Sequence, residues 1–90
     1  MAEVEIHPRF SEQDHERFRR YIGPGFPATY EKWISTVERR KADAIQNKRK
    51  FVEVDVTADE YIRYCAREQE NYYWVTLDRF TEKKYNGESY

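Results

Sequence analysis

The chain has 90 residues, of which 37% are charged and 17% aromatic, and its formal net charge is −1. This aromatic content argues against a disordered chain, and no stretch reaches the ~18 consecutive apolar residues of a transmembrane helix. The single cysteine, Cys65, excludes an intramolecular disulfide, and the first residues lack a secretory signal pattern, so we expect one cytoplasmic domain over residues 1–90.

The N-terminal residues predict a short strand followed by a helix. Apolar and polar residues alternate over residues 4–7, as in a half-buried strand, and Pro8 is expected to end it. Ser11 is a suitable N-cap, and the acidic side chains just after it favour the positive end of a helix dipole. We expect a helix over residues 12–22, ended by Gly23, with an inner face of Phe18, Tyr21 and Ile22.

A segment rich in glycine and proline separates this helix from a longer one. Residues 23–27 contain two glycines and two prolines, which predicts a sharp connection. A second helix is expected over about residues 28–46, with Asn47 as a left-handed terminator. Its apolar stripe is interrupted by Lys41 and is predicted to contain Tyr30, Trp33, Ile34, Val37, Ala44 and Ile45.

The second half opens with the clearest strand pattern in the chain. Valines alternate with other residues over residues 51–56, which predicts a strand. Thr57 and Glu60 then have the spacing of a capping box, in which each side chain accepts a hydrogen bond from the other residue's amide. The helix that follows is predicted to bury Tyr61, Ile62, Cys65 and Ala66.

A second cap is predicted near the C-terminus. Thr76 is followed by Asp78 in what would be the first turn of a last short helix, with Leu77 and Phe80 facing inward. The tail over about residues 86–90 is expected to fray.

These elements predict an α+β, helix-rich domain in the order β-α-α-β-α-α, with a small two-stranded sheet covered by helices. Two strands alone form a marginal sheet. Either the strands pair within a monomer under the helices, or an exposed edge pairs with a second copy, which extends the sheet across a homodimer.

The residues that could carry chemistry do not form a recognisable site. His7 and His15 lack the four-residue helical spacing of paired zinc ligands, and His15 is expected on the surface. Cys65 falls on the inward face of a helix, where a thiol behaves as a small hydrophobic group. The sequence therefore predicts no enzyme, no cofactor, no metal and no membrane partner.

Aromatic side chains in the predicted connections between helices favour a protein-interaction module, which binds either a second copy of itself or another protein. Exposed tyrosine and tryptophan side chains are typical anchors of protein interfaces. The structural alternative packs the tryptophan under the last helix and leaves the tyrosines as cover for the fold's edge. The candidate contact residues are Phe26, Tyr72, Tyr73 and Trp74.

The alternative function is that of a nucleic-acid-associated accessory protein. The first fifty residues carry eleven Lys or Arg against eight Asp or Glu, and converging basic clusters would bind phosphates. If they do not converge, the same residues form ordinary solvated helix faces. The candidate phosphate contacts are Arg17, Arg20, Arg39, Arg40, Lys48 and Arg49.

Overall fold

A computed structural model describes residues 3–88 and confirms the α+β, helix-rich order β-α-α-β-α-α. The elements are β1 (Val4–Arg9), α1 (Glu12–Ile22), α2 (Tyr30–Gln46), β2 (Lys50–Asp55), α3 (Ala58–Glu68) and α4 (Trp74–Tyr85). Of the tail predicted to fray, Gly87 and Glu88 donate amide hydrogen bonds to carbonyls of the last turn of α4, and residues 89–90 lie outside the described residues.

The two strands form one parallel sheet, and β1 continues through Pro8, which lies opposite Val54. The prediction that Pro8 ends this strand is therefore wrong. The carbonyl of Glu3 accepts a hydrogen bond from the Lys50 amide. The backbone N–H and C=O groups of successive residues in a strand point to opposite sides. Odd-numbered residues of β1 therefore bond to β2, whereas Pro8, which has no N–H, faces the outer edge of the sheet, where it interrupts no bond to β2.

Threonine and serine caps set the starts of three helices, and local patterns predict two of these caps, Ser11 and Thr57. Ser11 accepts the amide of the third residue of α1, and Thr57 and Glu60 form the complete capping box of α3. The second helix begins at Tyr30, slightly later than expected, because Thr29 supplies its N-cap oxygen.

The last helix begins earlier than expected, at Trp74, and the prediction that Thr76 caps it is wrong. Its N-cap residue is Tyr73, which makes no side-chain capping bond, and Thr76 is buried within the first turn. Asp78 consequently lies beyond that turn. A missing cap costs about 1 kcal/mol, whereas burying a large ring contributes more, so the contacts of Trp74 determine the start.

Two left-handed residues end the middle helices. Lys48 has a φ of 57°, so the predicted left-handed terminator of α2 lies one residue beyond Asn47, whose φ is −91°. Gln69, with a φ of 54°, ends α3 and starts the connection to α4. Both residues turn the chain sharply at the point where helical carbonyls need new partners.

The core is rich in rings, and its helices cover the small sheet. Helix α4 packs against β1, and α2 packs against β2. Four residues predicted to face inward are exposed instead: Tyr21, Ile34, Ile45 and Ala66. Tyr64, which was not predicted to face inward, is buried. The helices therefore bury narrower stripes than their apolar patterns suggest. The buried rings are Phe10, Phe18, Phe26, Trp33, Tyr61, Tyr64 and Phe80.

Candidate functional site

Phe26 is buried, so its prediction as an exposed contact residue is wrong. Only 2% of the residue is exposed, and its ring centroid lies 5.3 Å from that of Trp33 and 5.3 Å from that of Trp74. The amide of Phe26 donates to the carbonyl of Gly23, which folds the connection back on itself and directs the ring inward. Gly23 has a φ of 89°, a conformation that favours glycine.

Trp74 is half-buried at the margin of this ring cluster. Its ring centroid lies 6.0 Å from that of Trp33, and the Arg40 guanidinium carbon lies 4.9 Å from the indole centroid, in cation–π geometry. Trp74 is itself the first residue of α4, so it does not pack under that helix, and its ring lies against Phe26 and Trp33 instead of standing out as an exposed anchor.

The two tyrosines of the connection between α3 and α4 differ in exposure. Tyr72 is half-buried, with ring centroids 5.0 Å from Tyr21 and 5.8 Å from Tyr61, whereas Tyr73 is 58% exposed. Val75 in the first turn of α4 is also 58% exposed. We call the surface formed by Tyr21, Tyr72, Tyr73 and Val75 the tyrosine surface.

Side-chain hydrogen bonds hold this connection in place. The hydroxyl of Tyr61 donates to the Tyr73 carbonyl at 3.0 Å, and burial raises the pKa of Tyr61 so that the hydroxyl keeps its proton. Arg79 donates to both carboxylate oxygens of Glu70 at 2.7 Å. This ion pair closes the connection on its outer side, beside a shallow pocket of about 270 Å³ that Tyr73 and Val75 also line.

The basic residues of the first half do not share a common environment. Arg40 lies against Trp74, while Arg39 and Lys48 are exposed and have no ion-pair partner among residues 3–88. The guanidinium of Arg17 holds the pKa of its carboxylate partner, Asp59, below the usual value. The other three are paired: Arg17 with Asp59 at 2.7 Å, Arg20 with Glu16 at 3.7 Å and Arg49 with Glu5 at 3.5 Å.

The structure also contains a charged pocket that the sequence did not reveal. It has a volume of about 250 Å³ and lies between β1, α2 and α4, where Glu5, His7, Arg40, Asp78 and Glu82 line it. Only 3% of His7 is exposed, and its Nε2 lies 3.5 Å from both Arg40 Nη1 and Glu5 Oε1. Alternation placed Glu5 and His7 on one face of β1, but only the tertiary fold brings the helical residues to them.

Burial shifts the pKa values of two groups in this charged pocket. It lowers the pKa of His7, and the Arg40 charge adds to this effect, so the imidazole is neutral at pH 7. Burial raises the pKa of Asp78 to about 6, although Arg40 opposes the shift. Oppositely shifted titratable groups in one pocket occur in acid–base sites and also in structural charge networks.

His15 is a second buried histidine, and the expectation of a surface position for it is wrong. Its Nε2 donates to the Pro27 carbonyl at 3.0 Å, and its ring packs against Phe26 and Tyr30. The residue therefore joins the first turn of α1 to the connection before α2. Cys65 is buried on α3 as predicted, and desolvation raises the pKa of its thiol.

Comparison of the chain with protein families, with curated proteins and with solved structures finds no match. Within residues 3–88, no group of three or more His, Cys, Asp or Glu side chains is arranged to hold a metal ion. None of the helices in that part of the chain has both the length and the apolar character needed to cross a bilayer.

Proposed function

We propose that this chain is a non-enzymatic, cytoplasmic protein-interaction module that binds a second copy of itself through the tyrosine surface. One observation carries the proposal: Tyr73 and Val75, each 58% exposed, line one shallow pocket, and Tyr72, the neighbour of Tyr73 in the chain, has its ring centroid 5.0 Å from that of Tyr21. The free thiol of Cys65 suits a reducing compartment.

The tyrosine surface combines the two properties that favourable contact sites share. Its side chains lie together in pairs, Tyr21 against Tyr72 and Tyr73 with Val75 in one shallow pocket, so a partner can remove each pair from water together. Its backbone is already ordered by the hydrogen bond from Tyr61 and by the pair of Glu70 with Arg79. A preordered surface loses less conformational entropy on binding than a flexible one.

A second copy suits this surface because both charge signs lie at its rim. In a twofold contact the same patch meets itself, so a rim that holds Glu70 and Arg79 can place each charge near its opposite on the partner. The net charge of −1 adds little repulsion between copies. Because the patch is small, we expect weak association, with a Kd in roughly the micromolar range.

Sedimentation equilibrium of the whole chain tests the proposal. We expect the mean mass to rise from monomer towards twice that value as concentration increases from about 1 μM to about 1 mM, and Tyr73→Ser to weaken association by about tenfold. Serine is a preferred N-cap residue, so this substitution should preserve α4. The matched control is Ile45→Ser, which removes a 64% exposed side chain from α2.

Two outcomes would reject the proposal. One is a wild-type chain that stays monomeric at the highest concentration. The other is a loss of association in Ile45→Ser as large as that in Tyr73→Ser, since this would show that exposed apolar area in general drives association.

Nucleic-acid binding remains a prediction with weaker support. Three of its six candidate residues, Arg17, Arg20 and Arg49, are paired with acidic side chains of the same chain, which reduces the charge that they offer to phosphates. Salt-dependent binding of DNA or RNA that is lost in Arg17→Ala and Arg49→Ala would favour this alternative over self-association.

A further inference from the structure

A wide groove separates the connection before α2 from the start of α4. It has a volume of about 520 Å³, within the range of small-molecule sites, and the side of Trp74 and the ring of Pro27 form its apolar part. Its polar part comes from one side of α2, which contributes Lys32, Ser35, Arg39 and Arg40.

The charge in this groove is one-sided. Lys32 and Arg39 are seven residues apart on α2, so they lie two turns apart on one face of the helix. Both are exposed, and neither has an ion-pair partner among residues 3–88. None of the described residues that line the groove is acidic. Lys32 and Arg39 therefore give the groove positive charge that no described acidic side chain pairs with, in contrast to the paired arginines elsewhere on the first half.

Arg40 supplies a cation that is held in place. Its guanidinium lies over the Trp74 ring, and its Nη1 atom lies 3.5 Å from His7 Nε2. His7 is neutral and buried and adds no positive charge there. The acidic side chains of the charged pocket, Glu5, Asp78 and Glu82, offset part of the Arg40 charge. A guanidinium with a fixed position can contact an anionic oxygen while losing little side-chain entropy.

We propose that this groove binds a small phosphate ester with an apolar, planar body. The dianionic phosphate lies towards Lys32, Arg39 and Arg40, and the body lies along Pro27 and Trp74. A phosphate matches three nearby cations better than a singly charged carboxylate does, and an arginine fork suits its oxygens. This site is separate from the tyrosine surface, so the inference does not depend on self-association.

Titration of the whole chain with phenyl phosphate, followed by tryptophan fluorescence, tests the inference. Trp33 is buried, so a change on binding should come mainly from Trp74. We expect a saturable response, with affinity for phenyl phosphate about tenfold higher than for inorganic phosphate because the ring adds buried apolar area. Arg39→Ala should lower the affinity for phenyl phosphate by about tenfold, because it removes the charged contact between this exposed side chain and the phosphate.

The matched control is Lys41→Ala, which removes an exposed cation from the same helix at a position that does not line the groove. Its affinity for phenyl phosphate should stay within about twofold of wild type, since only long-range charge is lost. Equal losses in Arg39→Ala and Lys41→Ala would overturn the site by showing a diffuse effect of net charge. An absent response, or equal affinity for inorganic phosphate, would overturn the proposed ligand.

Two further measurements separate this site from the other functions. Tyr73→Ser should leave phenyl phosphate binding unchanged, and Arg39→Ala should leave self-association unchanged. If Tyr73→Ser weakened phenyl phosphate binding, or Arg39→Ala weakened self-association, the groove and the tyrosine surface would not be separate sites. A single-stranded oligonucleotide that binds more tightly than phenyl phosphate, and loses affinity in Arg39→Ala, would overturn the small-ester assignment in favour of nucleic acid.

Discussion

Asp78 is a partly buried carboxyl group, and its ionisation opposes folding. Its pKa in the folded chain is about 6, above the roughly 3.9 of an unfolded aspartate. Below pH ~4 the group is protonated in both states, and as pH rises from ~4 to ~6 the unfolded state gives up its proton first. The free energy of unfolding should therefore fall across this range.

Asp78→Asn should remove this loss of stability. We expect the variant to exceed wild type by about 1–2 kcal/mol at pH 7 and to lose that advantage near pH 4, because asparagine cannot ionise. Urea unfolding at both pH values measures the difference. Asp43→Asn, at an exposed position on α2, is the control and should change stability little. A variant less stable than wild type at pH 7 would show that the attraction of Arg40 for Asp78 outweighs burial.

Thr57 fixes the junction between β2 and α3 through two reciprocal hydrogen bonds. Its hydroxyl oxygen accepts the Glu60 amide at 3.2 Å, and the Glu60 carboxylate accepts the Thr57 amide at 3.0 Å. Thr57→Ala should lower the free energy of unfolding by about 1 kcal/mol. Thr57→Ser keeps the capping oxygen and should stay near wild type. Denaturant unfolding of both variants checks this prediction, and equal losses in the two would contradict a capping role.

The two caps show how far local sequence determines an element. Thr57 was predicted correctly because both partners of its capping box lie within four residues. Thr76 has a similar local pattern, yet α4 starts at Trp74, whose ring reaches Phe26 and Trp33. These contacts join residues far apart in the chain, so no local pattern contains them. The charged pocket was missed for the same reason, since its members come from three separate elements.

At the scale of the whole molecule, ring packing compensates for a sheet of only two strands. Phe26 illustrates this, because its ring contacts Phe10, Trp33 and Trp74. Phe26→Ala should lower the free energy of unfolding by about 3–4 kcal/mol, as expected for a buried ring. Thermal unfolding measures the loss, with Tyr73→Ser as the exposed comparison at less than about 0.5 kcal/mol. An equally small loss of stability in Phe26→Ala would indicate that Phe26 is exposed, as the sequence predicts.

Self-association of the whole molecule can be mapped directly by amide NMR spectra recorded over a dilution series from about 1 mM to about 10 μM, a range that brackets a weak dimer. We predict that concentration-dependent shifts are confined to Tyr21 and residues 69–79, which surround the tyrosine surface. Shifts centred on residues 50–55 would instead indicate pairing of sheet edges. Either that pattern or spectra that do not change with concentration would contradict a dimer formed through the tyrosine surface.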